Sequence, residues 1–124
     1  MDIKRMVESI NDELISIRRE FHKNPELSDK EYNTMERICR YLDSWGIEYR
    51  KGVAKTGVVA IVRGSQEGKT IGLRGDIDAL PVTEENDVEY KSINKGVMHA
   101  CGHDAHITIL LGAARIIKSM EKEL

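Results

Sequence analysis

The nine residues Met98-His-Ala-Cys-Gly-His-Asp-Ala-His106 hold three of the four histidines of this chain and one of its two cysteines. Cys101 and His103 are two positions apart, so in an extended or turning segment a thiolate and an imidazole converge on one point. Gly102 between them permits a tight backbone. That pair of donors suits a borderline cation such as Zn²⁺, with Mn²⁺, Ni²⁺ or Co²⁺ where oxygen ligands are added. If the segment is already helical, His103 shares a face with His106, or His99 with His103. Asp104, at a helix start, would satisfy free backbone amides. Two plainer alternatives stand beside the metal. One is a buried cysteine among scattered, hydrogen-bonded histidines. The other is a Cys–His nucleophile pair, which lacks an identifiable third group to orient it.

A second set of candidates is Asp76-Ile-Asp78-Ala-Leu-Pro81, directly after an apolar strand-like run. Residues two apart in extended chain point to the same side, so Asp76 and Asp78 can face one site. Alternatively, they merely cap the turn that follows.

The surrounding elements must position these groups. Ile3, Met6, Val7, Ile10, Leu14, Ile17 and Phe21 recur at helical spacing, predicting one helix that Asn24-Pro25 stops. Ser28-Asp-Lys-Glu31 has the capping-box form and predicts a second helix burying Met35, Ile38, Cys39, Leu42 and Trp45 and ending at Gly46. Cys39 lies on that apolar face and reads as core. Strands are expected at Ile47–Arg50, Thr56–Val62 and Thr70–Arg74, with Arg63–Gly68 as a hairpin turn. Residues 82–97 read as irregular. From Asp104 a helix runs toward Met120, apolar on nearly all sides and therefore expected to be buried on two. The whole is α/β: two amino-terminal helices, a short mainly β central segment and an apolar carboxy-terminal helix.

Bulk properties narrow the classes. A chain of 124 residues is one domain at most, and a formal charge of −2 argues against nucleic acid or anionic lipid as the main partner. No apolar run reaches the roughly 18 residues of a membrane span, and the amino terminus lacks a signal-peptide core. Two cysteines make no disulfide framework, so a reducing, cytoplasmic location is expected.

Taken in order, Arg18-Arg-Glu-Phe-His22-Lys-Asn-Pro25-Glu-Leu-Ser28, Thr56-Gly-Val, Leu73-Arg-Gly-Asp-Ile-Asp78-Ala-Leu-Pro81 and the His/Cys stretch closely resemble the amino-terminal part of the zinc-type amidohydrolases related to aminoacylase. The branch is that of hippurate hydrolase, N-acetyldiaminopimelate deacetylase and the indole-acetyl-amino-acid hydrolases. The resemblance runs from about Ile10 to Ile117. It implies a two-metal site (Zn, Mn, Ni or Co) with Cys101 and His103 as ligands and Asp78 as a support behind them. Asp76, His99, Asp104 and His106 would line the pocket or orient the ligands. The implied reaction is hydrolysis of an N-acyl amino acid amide by metal-activated water.

On this resemblance, residues 1–124 form the amino-terminal part of a catalytic domain. The family's glutamate pair, its remaining histidine ligands and an inserted dimerisation domain would lie downstream, and Glu121 and Glu123 do not replace the pair. The expectation is a segment inactive alone that self-associates through an exposed apolar helix face or sheet edge. The alternative from a different class is a stand-alone, non-catalytic module that binds metal or a partner through Cys101, His103 and His106.

Overall fold

A computed structural model describes residues 2–124. The order of elements is α1 (Ile3–Ser9), α2 (Asn11–Lys23), α3 (Tyr32–Ser44), β1 (Glu48–Val53), β2 (Gly57–Ile61) and α4 (His103–Ser119). The α/β class holds. Among the described residues, no helix is long and apolar enough to cross a membrane.

The expected first helix is two. Ser9 turns its hydroxyl back onto the Met6 carbonyl, and the Ile10 amide bonds Val7, a tighter turn that ends α1 before Asn11 opens α2. The apolar stripe accordingly splits. Ile3 and Val7 are exposed, whereas Ile17 and Phe21 are fully buried. The predicted capping box is not used either, because Ser28 is exposed and α3 starts only at Tyr32. Glu26 does the capping instead, its carboxylate accepting from the Thr34 amide and hydroxyl and from the Asn33 amide. The predicted face of α3 is as expected: Met35, Ile38, Cys39 and Leu42 are buried, with Trp45 packed at the edge of the core.

β1 and β2 form a two-stranded antiparallel hairpin, with Glu48 opposite Ile61 and Val53 opposite Gly57. Its turn is Ala54-Lys55-Thr56, not Arg63–Gly68. Ala54 and Lys55 both adopt left-handed backbone, the geometry that matches strand twist in tight hairpins. Gly57 is obligatory here, since a Cβ would sit 2.6 Å from the Val53 carbonyl oxygen. Residues 64–66 instead lie against Leu124, with the Ser65 and Gln66 amides bonded to its carbonyl. The third expected strand, Thr70–Arg74, does not form. No described segment pairs with it, and without a partner its backbone groups stay in solvent; Ile71 is 84% exposed.

Ile17 and Phe21 of α2, Ile38 and Leu42 of α3, Ile47, and Ile107 and Leu111 of α4 make one core. Only one side of α4 enters it. Ile109 on the other side is 68% exposed, so burial on two sides is not found among the described residues.

A chain of buried charge runs beside this core. Asp104 is 1% exposed, and its Oδ2 lies 2.8 Å from Arg18 Nε and 2.8 Å from His22 Nδ1. The other ring nitrogen of His22 lies 3.0 and 3.1 Å from the two carboxylate oxygens of Glu84. Glu84 also accepts from the Ser92 amide at 2.7 Å and from Asn86 at 3.1 Å. The irregular segment 82–97 is thereby pinned to α2, and further bonds run from the Ile93 amide to Lys23 and from the Asn94 side chain to Pro25. Burial opposes ionisation of Glu84, but the hydrogen bonds from His22, Ser92 and Asn86 outweigh it and hold the carboxyl down at about 2.

Two outcomes follow. Leu42→Ala should destabilise the chain by roughly 2–5 kcal/mol, the range for emptying a buried leucine site, as measured by urea unfolding. A shift in midpoint equivalent to under ~1 kcal/mol would show that α3 is not part of the core. Because Glu84 titrates lower in the folded chain than in the unfolded one, its contribution is present above about 4.5 and fades as pH falls toward about 2. The stability gap between wild type and Glu84→Gln should therefore close across that window. A gap constant with pH would contradict the network.

Candidate metal centre

Two short backbone bridges bring the candidate residues together. Ala79 pairs in parallel with Leu27, and Leu80 pairs antiparallel with Met98 through bonds of 2.9 and 3.0 Å. The Asp76–Pro81 segment thus runs alongside the approach to α4. At Gly102 the backbone turns through a left-handed conformation, φ +89° and ψ 14°, and α4 begins at His103.

The turn settles which side chains converge. Ligand atoms of Asp76, His103 and His106 all lie within 4.8 Å of one another. His103 and His106 are three apart on α4 and their rings stack, centroids 5.2 Å apart. The Nδ1 of His103 lies 2.9 Å from Asp78 Oδ1 and 3.0 Å from the Asp78 carbonyl. Both partners are acceptors, so Nδ1 carries the proton and Nε2 presents its lone pair. That lone pair faces Asp76 Oδ2 at 3.7 Å, and His106 Nδ1 lies 3.9 Å from the same oxygen. The other Asp76 oxygen is held by Arg74 at 2.7 Å.

A carboxylate behind a histidine, fixing its tautomer so that the far nitrogen faces further donors, is the usual support of a metal-ligating imidazole. One carboxylate and two imidazoles suit Zn²⁺ or a neighbouring first-row divalent ion, with water completing the shell. The donor set fits such an ion on these grounds.

The remaining candidates fall elsewhere. Cys101 is exposed and is not in the converging group, because the left-handed turn at Gly102 separates it from the helix that carries His103. The two-residue spacing suggested convergence only for a segment that continues in one conformation. Asp104 does not cap α4. It turns inward to Arg18 and His22, and the helix start at Gly102 has no side-chain cap. His99 is buried, and neither of its ring nitrogens has a partner among the described residues. Burial, the largest influence, pulls it down to about 4 and keeps it neutral. Arg18 and His22 lie within a motif that by itself gives them no role, and Glu84 lies outside every motif of the chain. The signal was available in the motif's order but not in any local spacing, since His22 and Asp104 are 82 positions apart.

Comparison with known proteins gives the chain's relatives in sequence and in fold. The family model for Peptidase family M20/M25/M40 matches residues 72–124, the stretch that holds the cluster. Thermostable carboxypeptidase 2 of Saccharolobus solfataricus is 53% identical over 93% of this chain and 30% of its own length. The N-acyl-L-amino acid amidohydrolase of Geobacillus stearothermophilus is 42% identical over 99% of this chain and 33% of its own. Among solved structures, the YxeP protein of Bacillus subtilis, described as a dinuclear metal-binding peptidase from the M20 family, matches with a TM-score of 0.89. It is 39% identical, over 94% of this chain and 33% of that one. The chain therefore spans about a third of the length of the relatives it matches. Residues 72–124 match the family model for Peptidase family M20/M25/M40, and the chain around them shares the fold of a solved M20-family peptidase.

Proposed function

We propose that this chain supplies the amino-terminal part of a metal-dependent amidohydrolase that cleaves the amide bond of N-acyl amino acids. The observation that carries the reading is His103, held at Nδ1 by Asp78 with Nε2 facing Asp76 beside His106. Names borne by relatives point the same way, an N-acyl-L-amino acid amidohydrolase and an N-acetyl-L-cysteine deacetylase among them.

In this reading His103, His106 and Asp76 hold the ion, and exposed Cys101 is the thiolate that the family resemblance adds to the set. Asp78 is a positioning residue, keeping the proton of His103 on Nδ1. Arg74 leaves Asp76 a single oxygen for the site. A divalent cation would supply Lewis acidity toward an acyl carbonyl and so lower the barrier to attack by water. The converging donors include no glutamate among the described residues, and in this reading none of them is the base that takes the proton from water. The segment by itself is proposed to hold metal without turnover.

Elemental analysis after exposure to Zn²⁺ or Mn²⁺ tests the ligands. Metal content should fall sharply in His103→Ala and less in Cys101→Ala. Equal content in wild type and the His103→Ala/Cys101→Ala double variant would overturn the reading. In parallel, the purified chain should not release amino acid from N-acetyl or N-benzoyl substrates above background. Metal-dependent release that disappears in Asp78→Ala would show that the base lies within these residues.

A further inference from the structure

The metal reading leaves unexplained why an ion-pair chain is buried directly behind the candidate ligands. Asp104 sits between His103 and His106 in sequence, in the first turn of α4. Its N-cap Gly102 offers no side chain to that helix end. The carboxylate of Asp104 is the group that ties the turn down, to Arg18 and His22 of α2 at 2.8 Å each. His22 in turn is gripped from its far side by Glu84. Each of its ring nitrogens faces a carboxylate oxygen, so the plane of the imidazole is fixed from two ends. The edge of Tyr90 against the ring, centroids 5.8 Å apart, restricts it further.

We propose that His22 is a positioning residue for the metal centre: clamped between Asp104 and Glu84, it fixes the first turn of α4 and so where His103 and His106 present their nitrogens. The proposal rests on the metal reading. Its physical basis is the tolerance of a coordination shell, about 0.5 Å and 10–20°. A helix end whose buried anchor is loosened rotates or frays by more than that. Asp78 fixes the tautomer of His103, but from the neighbouring segment. His22 fixes the helix itself.

The test is titration of the chain with Co²⁺, which reports affinity by saturation and geometry by its visible absorption bands. Wild type, His103→Ala, His22→Gln and Glu84→Gln are compared, with circular dichroism confirming the fold of each. Wild type should bind, and His103→Ala should lose binding. His22→Gln should bind 10–100-fold more weakly, the usual effect of removing a group behind a ligand, with altered band positions. Glu84→Gln keeps an oxygen that accepts from His22, so it should retain most of the affinity. A merely structural role would lower the melting temperature without moving the bands of the bound fraction.

No Co²⁺ binding by wild type, or binding indifferent to His103→Ala, overturns the metal reading and this proposal with it. Normal wild-type behaviour combined with unchanged affinity and bands in folded His22→Gln overturns the proposal alone. Should His22→Gln fail to fold, Glu84→Leu decides, because it removes the acceptor behind His22. Unchanged Co²⁺ affinity and bands in that folded variant would equally refute the positioning role.

Discussion

A carboxylate with almost no access to water is the constraint on which this structure turns. Removing Asp104 from solvent costs several kcal/mol unless the charge is matched and its lone pairs are used. Arg18 and His22 meet that demand from α2 at Oδ2, while Oδ1 has no partner among the described residues, and Glu84 holds the far side of His22. Three parts of the chain distant in sequence, α2, the 82–97 segment and α4, are thereby obliged to assemble in one arrangement. Apolar packing of Phe21 against Ile107 and Leu111 would tolerate some sliding of α4 on α2; hydrogen bonds at 2.8 Å do not.

The candidate centre inherits that arrangement. Its groups come from only two places, the Asp76–Asp78 segment and the first turn of α4, and each is fixed separately. Leu27 and Met98 hold the first through backbone bridges, while the buried charges hold the second. Between them, among the described residues, Asp78 and His103 make the one side-chain hydrogen bond, and it also sets the tautomer of the imidazole. Rigidity and chemistry thus meet in a single hydrogen bond.

Much of this was legible in the sequence, for reasons that are themselves physical. The buried face of α3 and the extent of α4 follow from periodicity, because burial of one stripe is what makes those helices stable. That Asp76 and Asp78 can face one site, and that His103 and His106 share a helix face, follows from spacing along one segment. What escaped was set by contacts across the chain. The Thr70–Arg74 run has strand-like residues, yet a strand also needs a neighbour, and none of the described residues provides one. Ser28 offered a cap that Glu26 supplied from a better position. Spacing along an extended segment would bring Cys101 beside His103, but the left-handed turn at Gly102 leaves Cys101 outside the converging group. His22 carried no local signal, since its partners lie 62 and 82 positions away.

Gly102 has a consequence of its own. At φ +89° its conformation is one that L-residues rarely adopt, yet a Cβ built there meets nothing within 4 Å. The position is therefore restricted by handedness and not by room. An L-alanine would be strained without touching a neighbour, whereas its mirror image prefers positive φ and would fit the same space. A chain assembled chemically with D-alanine at 102 would lose less backbone freedom on folding than one with glycine, and should melt at a higher temperature. The join between the cysteine and the histidine helix is in this sense a place where chirality alone dictates the residue.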